Sequence, residues 1–460
     1  MSGRNRAGTL ILGAGQAGLQ LAVTLRQLGD AGAAGQETER AQGREREPIT
    51  LVGEEPHPPY QRPPLSKEFL TGAAGEEALE LRRPAFYAES GITLLRGERV
   101  ETIRLDPAEA ANAPGAVGAA VTGTGRRIPF ARLALTVGAA PRRLRVPGAQ
   151  LTGVCYLRDR DDAVDLKIRL AAAERVVVIG GGFVGLEAAA AARALGKTVT
   201  VVEAAPRLIG RAVAPSVSEF YRSAHERRGT RVLLSAGVTA IEGRGGRVAA
   251  VHLADGTRLA ADLVLVGIGV VPRTELAEHL GLACDGGILV DGYARTSNPH
   301  VVAAGDCTVQ PHPLTGEGLV RIESVQNAVA QAGTAAATLL GRAPQAPAVP
   351  WFWSHQGDLK LQIAGLSAGH DGTVLRGDPA TERFSVLYYR HGRLLAIDAV
   401  NSPADYMVVR KVLTEGGTIP PELAAEAATP LKELAALALA DGQRLGLGSW
   451  RHERSRTRVA

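Results

Sequence analysis

The sequence predicts an α/β protein with two similar β-α-β domains followed by a smaller α/β domain, and three observations lead to this prediction. A short apolar strand, a run of glycines and an alanine-rich helix occur near residue 10 and again near residue 177. A proline-rich stretch at 344–350 separates these repeats from a mixed segment that begins WFWSHQ. A chain of 460 residues has room for two or three such cores.

The first repeat, TLILGAGQAGLQLA, contains Gly13, Gly15 and Gly18 in the order G-x-G-x-x-G. In this pattern the first glycine makes the strand-to-helix turn, the second admits a diphosphate and the third lets helix and strand pack closely. A turn without a ligand is the alternative for either repeat taken alone. The next strand, PITLVGEE, ends at Glu54 after a polar insert at 29–48, which we interpret as a flexible surface loop.

The second repeat, RVVVIGGGFVGLEAA, contains Gly180, Gly182 and Gly185, and its next strand ends in Glu203. A carboxylate at the end of this strand accepts hydrogen bonds from the ribose hydroxyls of NAD and repels the 2′-phosphate of NADP. Arg207 is the competing signal for NADPH. The sequence therefore favours NADH.

A later apolar strand in PHVVAAGDC ends at Asp306. A polar contact to a bound cofactor is expected at such a strand end, and an ordinary turn aspartate is the alternative. The segment after residue 350 predicts a third domain extending to about residue 440.

Composition limits the other classes of function. Apolar residues make up 45% of the chain, yet no apolar run reaches the roughly 20 residues of a membrane span. The N-terminal stretch does not resemble a secretory signal, so we expect a cytoplasmic protein without membrane attachment. The net charge of +5 is compatible with an acidic partner but does not identify one. Cys155, Cys284 and Cys307 show neither C-x-x-C nor metal-ligand spacing, so no metal site and no redox disulfide are expected.

Together the motifs resemble the FAD-dependent pyridine nucleotide-disulfide oxidoreductases, specifically the branch of putidaredoxin reductase and the dioxygenase ferredoxin reductase components. The marks of this resemblance are PYQRPPLSKEFL, GGGFVGLE, PHVVAAGDC, RIESVQNA and PWFWSHQ. It implies two Rossmann-like domains, for FAD and for NAD, plus a C-terminal α/β interface domain. The implied limits are 1–147 and 274–340 for the FAD domain, 148–273 for the NAD domain, 341–440 for the interface domain and 441–460 for a disordered tail.

The resemblance also assigns cofactor contacts. The implied FAD contacts are Gly13, Gly15, Gln16, Ala17, Gly18, Glu54, Arg62, Lys67, Val100, Arg142, Asp306, Val325 and Gln326. The implied NAD contacts are Gly180, Gly182, Phe183, Val184, Gly185, Glu203 and Gly269. For Arg62 a surface salt bridge is an equal alternative. Trp351 and Trp353 are implied to form a docking surface near the flavin edge, with ordinary core aromatics as the alternative.

Lys67 stands in PPYQRPPLSKEFL and is the only lysine before Lys167. Lysine is a compact charge on a flexible stem, and the prolines before it make a rigid lead-in. The resemblance places Lys67 beside the flavin, pairs it with Glu187 and makes both catalytic. A cation there favours the reduced flavin, and the opposite charge keeps the lysine ionised. A surface lysine is the alternative.

The implied activity is that of an NADH-dependent ferredoxin reductase. Hydride passes from NADH to FAD, and single electrons pass to an acidic [2Fe–2S] ferredoxin that feeds a cytochrome monooxygenase or a ring-hydroxylating dioxygenase. A rubredoxin reductase and an NADH oxidase remain alternatives, as does a flavin-bearing nucleic-acid-binding protein similar to apoptosis-inducing factor. The last is not favoured because aromatic residues make up only 4% of the chain. His355, where relatives carry an acid, and the choice between monomer and dimer stay open.

Overall fold

The computed structural model describes residues 7–34, 47–106, 115–344 and 346–436, with only the backbone for residues 31–34. The chain divides into two compact units. The first is drawn from Met1–Arg62, Gly75–Ala140 and Val270–Ala348. The second is drawn from Pro63–Ala74, Pro141–Gly269 and Val349–Ala460. The lysine-bearing motif is thus divided, with Arg62 assigned to the first unit and Lys67 to the second.

The helices and strands up to residue 269 carry both glycine motifs. The strands are β1 (Gly8–Leu12), β2 (Ile49–Val52), β3 (Ile92–Leu95), β4 (Val100–Arg104), β5 (Gly118–Thr122), β6 (Arg127–Leu135), β7 (Ala139–Pro141), β8 (Val154–Cys155), β9 (Arg175–Ile179), β10 (Thr198–Val202), β11 (Arg231–Leu233), β12 (Val238–Arg244), β13 (Arg247–Leu253), β14 (Arg258–Ala260) and β15 (Leu263–Val266). The helices are α1 (Gln16–Ala34), α2 (Glu68–Thr71), α3 (Ala85–Glu89), α4 (Arg160–Ala172), α5 (Phe183–Ala194) and α6 (Pro215–Arg227).

The remaining helices and strands complete the first unit and form the C-terminal domain. The strands are β16 (Val270–Pro272), β17 (Ile288–Leu289), β18 (Val301–Ala303), β19 (Thr308–Pro311), β20 (Leu319–Val320), β21 (Trp351–Gln356), β22 (Leu359–Gly365), β23 (Gly372–Asp378), β24 (Arg383–Arg390) and β25 (Arg393–Val400). The helices are α7 (Glu275–His279), α8 (Val325–Leu339), α9 (Pro403–Thr414) and α10 (Pro421–Ala425).

The main sheet of the first unit has the strand order β3-β2-β1-β6-β5-β4, and β18 pairs with β6. Strands β3, β2, β1, β6 and β18 run parallel, whereas β4 and β5 extend the sheet in antiparallel fashion. Every residue of β1 is buried, as expected for a parallel strand covered on both faces. The polar loops that could meet a ligand therefore lie at the carboxyl ends of these strands.

The second unit contains a parallel sheet of order β11-β10-β9-β15-β8 and an antiparallel sheet of order β21-β22-β25-β24-β23. One apolar core joins them, with Val178 and Leu186 on the side of the parallel sheet and Leu361 and Phe384 on the other. Helix α5 is rich in alanine and packs against β21. The second glycine repeat and the C-terminal sheet therefore share a core.

One expectation from the sequence is corrected by the first helix. The insert at 29–48 was expected to be a loop throughout, but α1 continues through Ala34. Alanine has the highest helix propensity, and α1 packs against α8. The helix therefore continues into the first residues of the glycine-rich insert. Residues 35–46 of the insert and the predicted tail at 441–460 lie outside the described residues. Within the described ranges, none of the helices has the length and apolarity needed to cross a membrane.

Candidate functional site

The first glycine turn joins β1 to α1 and is shaped by close backbone contacts. Gly13 has a φ of +110°, and a Cβ on it would lie 2.2 Å from the carbonyl oxygen of Thr136. A Cβ on Gly18 would lie 1.9 Å from the carbonyl oxygen of Gly13. By contrast, a Cβ on Gly15 would meet no heavy atom within 4 Å. Gly13 and Gly18 thus serve the fold, and Gly15 leaves open space for a diphosphate at the start of the helix.

The hydroxyl of Thr136, which the sequence analysis did not select, holds this turn. Its Oγ1 donates to the carbonyl oxygens of Leu12 at 3.0 Å and of Gly13 at 2.8 Å. Gln16 is the first residue of α1, and Ala17 is buried in the core below it. The segment TVGA at 136–139, which follows strand β6, is the sequence signal that could have identified Thr136.

The end of β18 and the start of α8 add polar groups to the first unit. The backbone N–H of Gly305, beside Asp306, donates to Gln331 Oε1 at 2.8 Å. Val325 opens α8, and the next side chain, Gln326, has a buried Oε1 without a hydrogen-bond partner among the described residues. An orphaned acceptor and an open glycine turn in one unit fit FAD, which carries both a diphosphate and many hydrogen-bonding groups.

Two predicted FAD residues are engaged in ion pairs. Glu54 pairs with Arg273 at 2.5 Å and with Arg99 at 3.4 Å. Arg62 pairs with Glu55 at 2.5 Å, which is the salt bridge given as its alternative. Their roles toward a cofactor stay predictions.

Of two other predicted FAD residues, Val100 belongs to the first unit and Arg142 to the second. Val100 is half-buried at the start of β4. Arg142 is exposed in the second unit, where its backbone N–H donates to the carbonyl oxygen of Gly269 at 2.9 Å. Gly269, a predicted NAD residue, has a φ of +98°.

The second glycine turn repeats the geometry of the first. Gly180 has a φ of +110°, and a Cβ on Gly185 would lie 2.2 Å from the carbonyl oxygen of Gly180. A Cβ on Gly182 would meet no heavy atom within 4 Å, and Gly182 caps α5 without a side-chain hydrogen bond. The first N–H groups of α5 are therefore available to an anion. Val184 is 43% exposed in the first turn of this helix.

Glu203 lies at the end of β10 against this turn. Its Oε2 accepts from the backbone N–H of Gly181 at 2.6 Å, and its Oε1 accepts from that of Ala205 at 2.7 Å. Arg207 donates through Nη2 to the carbonyl oxygen of Gly210 at 2.5 Å and through Nη1 to that of Val213 at 2.8 Å. The carboxylate borders the turn, whereas the guanidinium is engaged within its own loop.

Lys67 and Glu187 form a shielded ion pair inside the second unit. Lys67 Nζ lies 2.7 Å from Glu187 Oε2, and the two side chains are 11% and 4% exposed. Lys67 Nζ also donates to the carbonyl oxygen of Pro63 at 2.8 Å. The proline-rich lead-in thus supplies an acceptor from a short 3-10 turn at Pro63–Ser66. The structure joins the two side chains that the resemblance paired, and their catalytic role stays a prediction.

Two serines that the sequence analysis did not select complete this cluster. Ser66 Oγ donates to Glu187 Oε2 at 2.5 Å, and Ser354 Oγ donates to Glu187 Oε1 at 2.7 Å. The serines lie 121 and 167 residues from the carboxylate, so the motifs that contain them gave no indication of this contact. The carboxylate receives hydrogen bonds on both oxygens, as a buried anion requires.

The aromatic residues of β21 face in two directions. Trp351 and Trp353 lie next to each other with ring centroids 5.8 Å apart, both half-buried, and the guanidinium of Arg410 lies 4.7 Å from the Trp351 ring centroid. Phe352, on the other face, packs on Phe183 with ring centroids 4.6 Å apart. Phe183, a predicted NAD contact, is therefore also a packing residue of the turn.

The three thiols are unpaired and poorly suited to redox chemistry. Burial raises the pKa of Cys155 to about 11 and that of Cys307 to about 12, and it also raises the pKa of Cys284. A thiol is nucleophilic as the thiolate, which is scarce at neutral pH when the pKa is high. Among the residues that the structure describes, no cluster of three or more His, Cys, Asp or Glu side chains is placed to hold a metal ion.

Comparison with protein families and curated proteins gives consistent matches along the chain. A family model described as pyridine nucleotide-disulphide oxidoreductase matches residues 8–332, and one described as reductase C-terminal matches residues 351–435. The chain is 44% identical to rhodocoxin reductase of Rhodococcus erythropolis, over 92% of this chain and 93% of that protein. It is 37% identical to a rubredoxin-NAD(+) reductase of Pseudomonas putida, over 86% of this chain and 96% of that protein.

Solved structures give the same result. A ferredoxin reductase from Rhodopseudomonas palustris superposes with a TM-score of 0.85 at 41% identity, covering 94% of this chain and 100% of that one. The covalent putidaredoxin reductase–putidaredoxin complex also gives a TM-score of 0.85, at 38% identity, covering 94% of this chain and 99% of the matched chain. These matches confirm the predicted fold class and the resemblance stated from the motifs.

Proposed function

Because the chain belongs to the pyridine nucleotide-disulphide oxidoreductase family, we propose that it is an NADH-dependent ferredoxin reductase. The observation that carries the proposal is the repeated glycine turn, each copy with open space at its middle glycine, Gly15 in one unit and Gly182 in the other. Two such turns suit two dinucleotides. FAD, when bound, accepts a hydride and releases electrons one at a time.

The first turn is assigned to FAD and the second to NAD. Asp306, Val325 and Gln326 extend the FAD site, and Phe183 and Val184 extend the NAD site. Lys67 is the cation proposed to favour reduced flavin, and Glu187 is the counter-ion that makes its burial tolerable. The domain limits, the remaining assigned contacts and the cytoplasmic location stay predictions.

The preference for NADH over NADPH is proposed from two side chains. Glu203 places a negative charge at the end of β10, where a 2′-phosphate would be repelled. Arg207, the sequence signal for NADPH, uses its guanidinium on Gly210 and Val213. A phosphate would have to displace these hydrogen bonds.

The proposed electron acceptor is an acidic [2Fe–2S] ferredoxin. Support comes from relatives named as ferredoxin reductases and from the solved complex with putidaredoxin. Trp351 and Trp353, with the positive charge of Arg410 over the first ring, are proposed as its docking surface. A cytochrome monooxygenase or ring-hydroxylating dioxygenase would then take the electrons. The three unpaired thiols, with pKa values raised by burial at Cys155 and Cys307, argue against a redox disulfide within this chain and against a cysteine-dependent oxidase.

A rubredoxin reductase is the second candidate, favoured by the match to rubredoxin-NAD(+) reductases. The two candidates share cofactors and differ only in the acceptor. A panel of purified acceptors separates them.

The test is anaerobic stopped-flow absorbance of the flavin-loaded protein mixed with NADH or NADPH, then with [2Fe–2S] ferredoxins, rubredoxin, oxygen and a DNA duplex as binding competitor. We expect rapid bleaching by NADH, slower bleaching by NADPH and one-electron reduction of a ferredoxin. Lys67→Ala should slow bleaching by about tenfold, whereas Lys432→Ala, at an exposed lysine of the same unit, should not.

Each of the other outcomes would favour a different function. Faster reduction of rubredoxin than of every ferredoxin supports the second candidate. A flavin that NADH does not bleach, or that passes its electrons to oxygen faster than to any protein, rules out the reductase. DNA binding that blocks ferredoxin reduction would favour a nucleic-acid-binding flavoprotein.

A further inference from the structure

The inner face of β21 carries an alternating set of side chains that meets the helices of the NAD-binding half. Phe352, Ser354 and Gln356 point to one face because strand side chains alternate. Their partners are Phe183 at 4.6 Å between ring centroids, Glu187 at 2.7 Å and His225 at 2.8 Å. Phe183 and Glu187 are four residues apart and share one side of α5. One strand therefore contacts both the start of this helix and its carboxylate.

The polar members form a continuous buried chain. His225 is 3% exposed, Gln356 1% and Ser354 0%. Gln356 Nε2 donates to Ser354 Oγ at 3.3 Å, so its Oε1 faces His225 Nε2 at 2.8 Å. His225 must then present its Nε2–H, since an amide oxygen only accepts. Every donor in the chain points toward Glu187.

The direction of the chain agrees with the charge state of the histidine. Burial lowers the pKa of His225, which favours a neutral ring near pH 7. A neutral ring has one N–H, and that N–H donates to Gln356. The imidazole of His225 therefore adds no positive charge to the core.

The two oxygens of Glu187 are not held equally. Oε2 accepts from both Ser66 and Lys67, at 2.5 and 2.7 Å. Among the described residues, the hydroxyl of Ser354 is the hydrogen-bond donor to Oε1. Without that hydroxyl, the carboxylate can turn about its Oε2 contacts and carry the lysine with it.

We propose that Ser354, Gln356 and His225 form a positioning chain that holds the Glu187 carboxylate, and through it the Lys67 ammonium, in a single orientation. This inference rests on the function proposed above, in which the pair acts on the flavin. It makes the C-terminal domain a contributor to hydride transfer and not only a docking platform. The three residues act through Glu187 and are positioning residues.

The test compares two buried serines that each donate to a carboxylate in the second unit. Ser354→Ala removes the donor to Glu187, and Ser354→Thr keeps a hydroxyl. Ser385→Ala is the matched control, because Ser385 is also fully buried and donates to Asp405 Oδ2 at 2.6 Å, away from Glu187. For each flavin-loaded variant we would measure the rate of flavin bleaching by NADH, the flavin midpoint potential and the melting temperature.

We expect Ser354→Ala to slow bleaching about tenfold and to lower the midpoint potential, with a KM for NADH within about twofold of wild type. Ser354→Thr should recover most of the rate. Ser385→Ala should lower the melting temperature by a similar amount but leave rate and potential unchanged. Unchanged rate and potential in Ser354→Ala, or equal shifts in Ser385→Ala, would overturn the proposal.

A second measurement does not depend on flavin chemistry. In ¹⁵N-histidine-labelled protein, the ring of His225 should be neutral with its proton on Nε2, and Gln356→Met should remove that hydrogen-bonded resonance. A charged ring or an Nδ1–H tautomer would show that the proposed hydrogen-bond chain does not continue from Ser354 to His225. If the wild-type protein is not bleached by NADH, the proposed function fails, while a crystal structure of Ser354→Ala still shows whether the carboxylate has turned.

Discussion

The ammonium of Lys67 lies 2.7 Å from a carboxylate oxygen of Glu187, and 120 residues of sequence separate them. Burial of one charge is tolerable only in the presence of the other, since an uncompensated buried charge is costly. The pair is therefore a structural requirement of the second unit as well as a candidate for catalysis.

The first prediction concerns the stability of this pair. Glu187→Leu should lower the free energy of unfolding by about 3–5 kcal/mol, because it leaves Lys67 without its counter-ion. Lys67→Met combined with Glu187→Leu should cost less than the sum of the single changes. Urea denaturation of the three variants measures this coupling, and strictly additive costs would contradict it.

The second prediction concerns pH. Asp398 is completely buried and accepts a hydrogen bond from Tyr388, whose hydroxyl also accepts from the backbone N–H of Ala214 at 2.5 Å. Burial raises the pKa of Asp398 to about 7, whereas an unfolded aspartate titrates near 4. Between these values the folded chain holds a proton that the unfolded chain has lost, so stability falls as pH rises.

We therefore expect Asp398→Asn to remove a slope of about one proton per molecule between roughly pH 4 and 7. Tyr388→Phe should extend the window upward, since the tyrosine hydrogen bond lowers the pKa of the aspartate. Melting temperatures of the three proteins across this range are the measurement. Identical slopes in wild type and Asp398→Asn would rule out the prediction.

The third prediction concerns coenzyme choice. Glu203→Ala should raise the KM for NADH by about tenfold or more, because a charged acceptor for the ribose is lost. It should also reduce the difference between the KM values for NADH and NADPH. The same change frees the backbone N–H groups of Gly181 and Ala205, so melting temperature must be recorded alongside. Glu203→Gln keeps an acceptor without the charge and isolates the electrostatic part. An unchanged NADH to NADPH ratio in both variants would contradict the assignment.

The fourth prediction separates a binding glycine from a folding glycine. Gly15→Ala adds a methyl group where no heavy atom lies within 4 Å, so the protein should fold but lose bound flavin. Gly18→Ala would place its Cβ 1.9 Å from the carbonyl oxygen of Gly13, so the first unit itself should be destabilised. Flavin absorbance per protein and the melting temperature distinguish the two effects. A fully flavin-loaded Gly15→Ala protein would show that the diphosphate is bound elsewhere.

Features that depend on a few neighbouring residues could be predicted from the sequence. A β-strand leading into G-x-G-x-x-G can make one kind of turn. Gly13 and Gly180 have positive φ, and a Cβ on Gly18 or Gly185 would collide with the carbonyl oxygen of Gly13 or Gly180. These constraints are local, and they specified both turns and the position of Glu203 at a strand end. The proline-rich motif around Lys67 was equally visible.

Which distant groups meet is evident only in the folded chain. Ser66, Ser354 and Gln356 lie in the motifs PYQRPPLSKEFL and PWFWSHQ, but those motifs did not indicate which groups they contact. The sequence allowed a salt bridge for Arg62 without naming its partner, and it indicated no ion pair for Glu54. The hydrogen bonds at Glu187 span 120 to 167 residues, and their partners are set by the packing of β21 and of the turn at Pro63–Ser66 against α5. Burial then sets the protonation of Asp398 and His225, since the cost of a charge depends on what surrounds it and not on its neighbours in sequence.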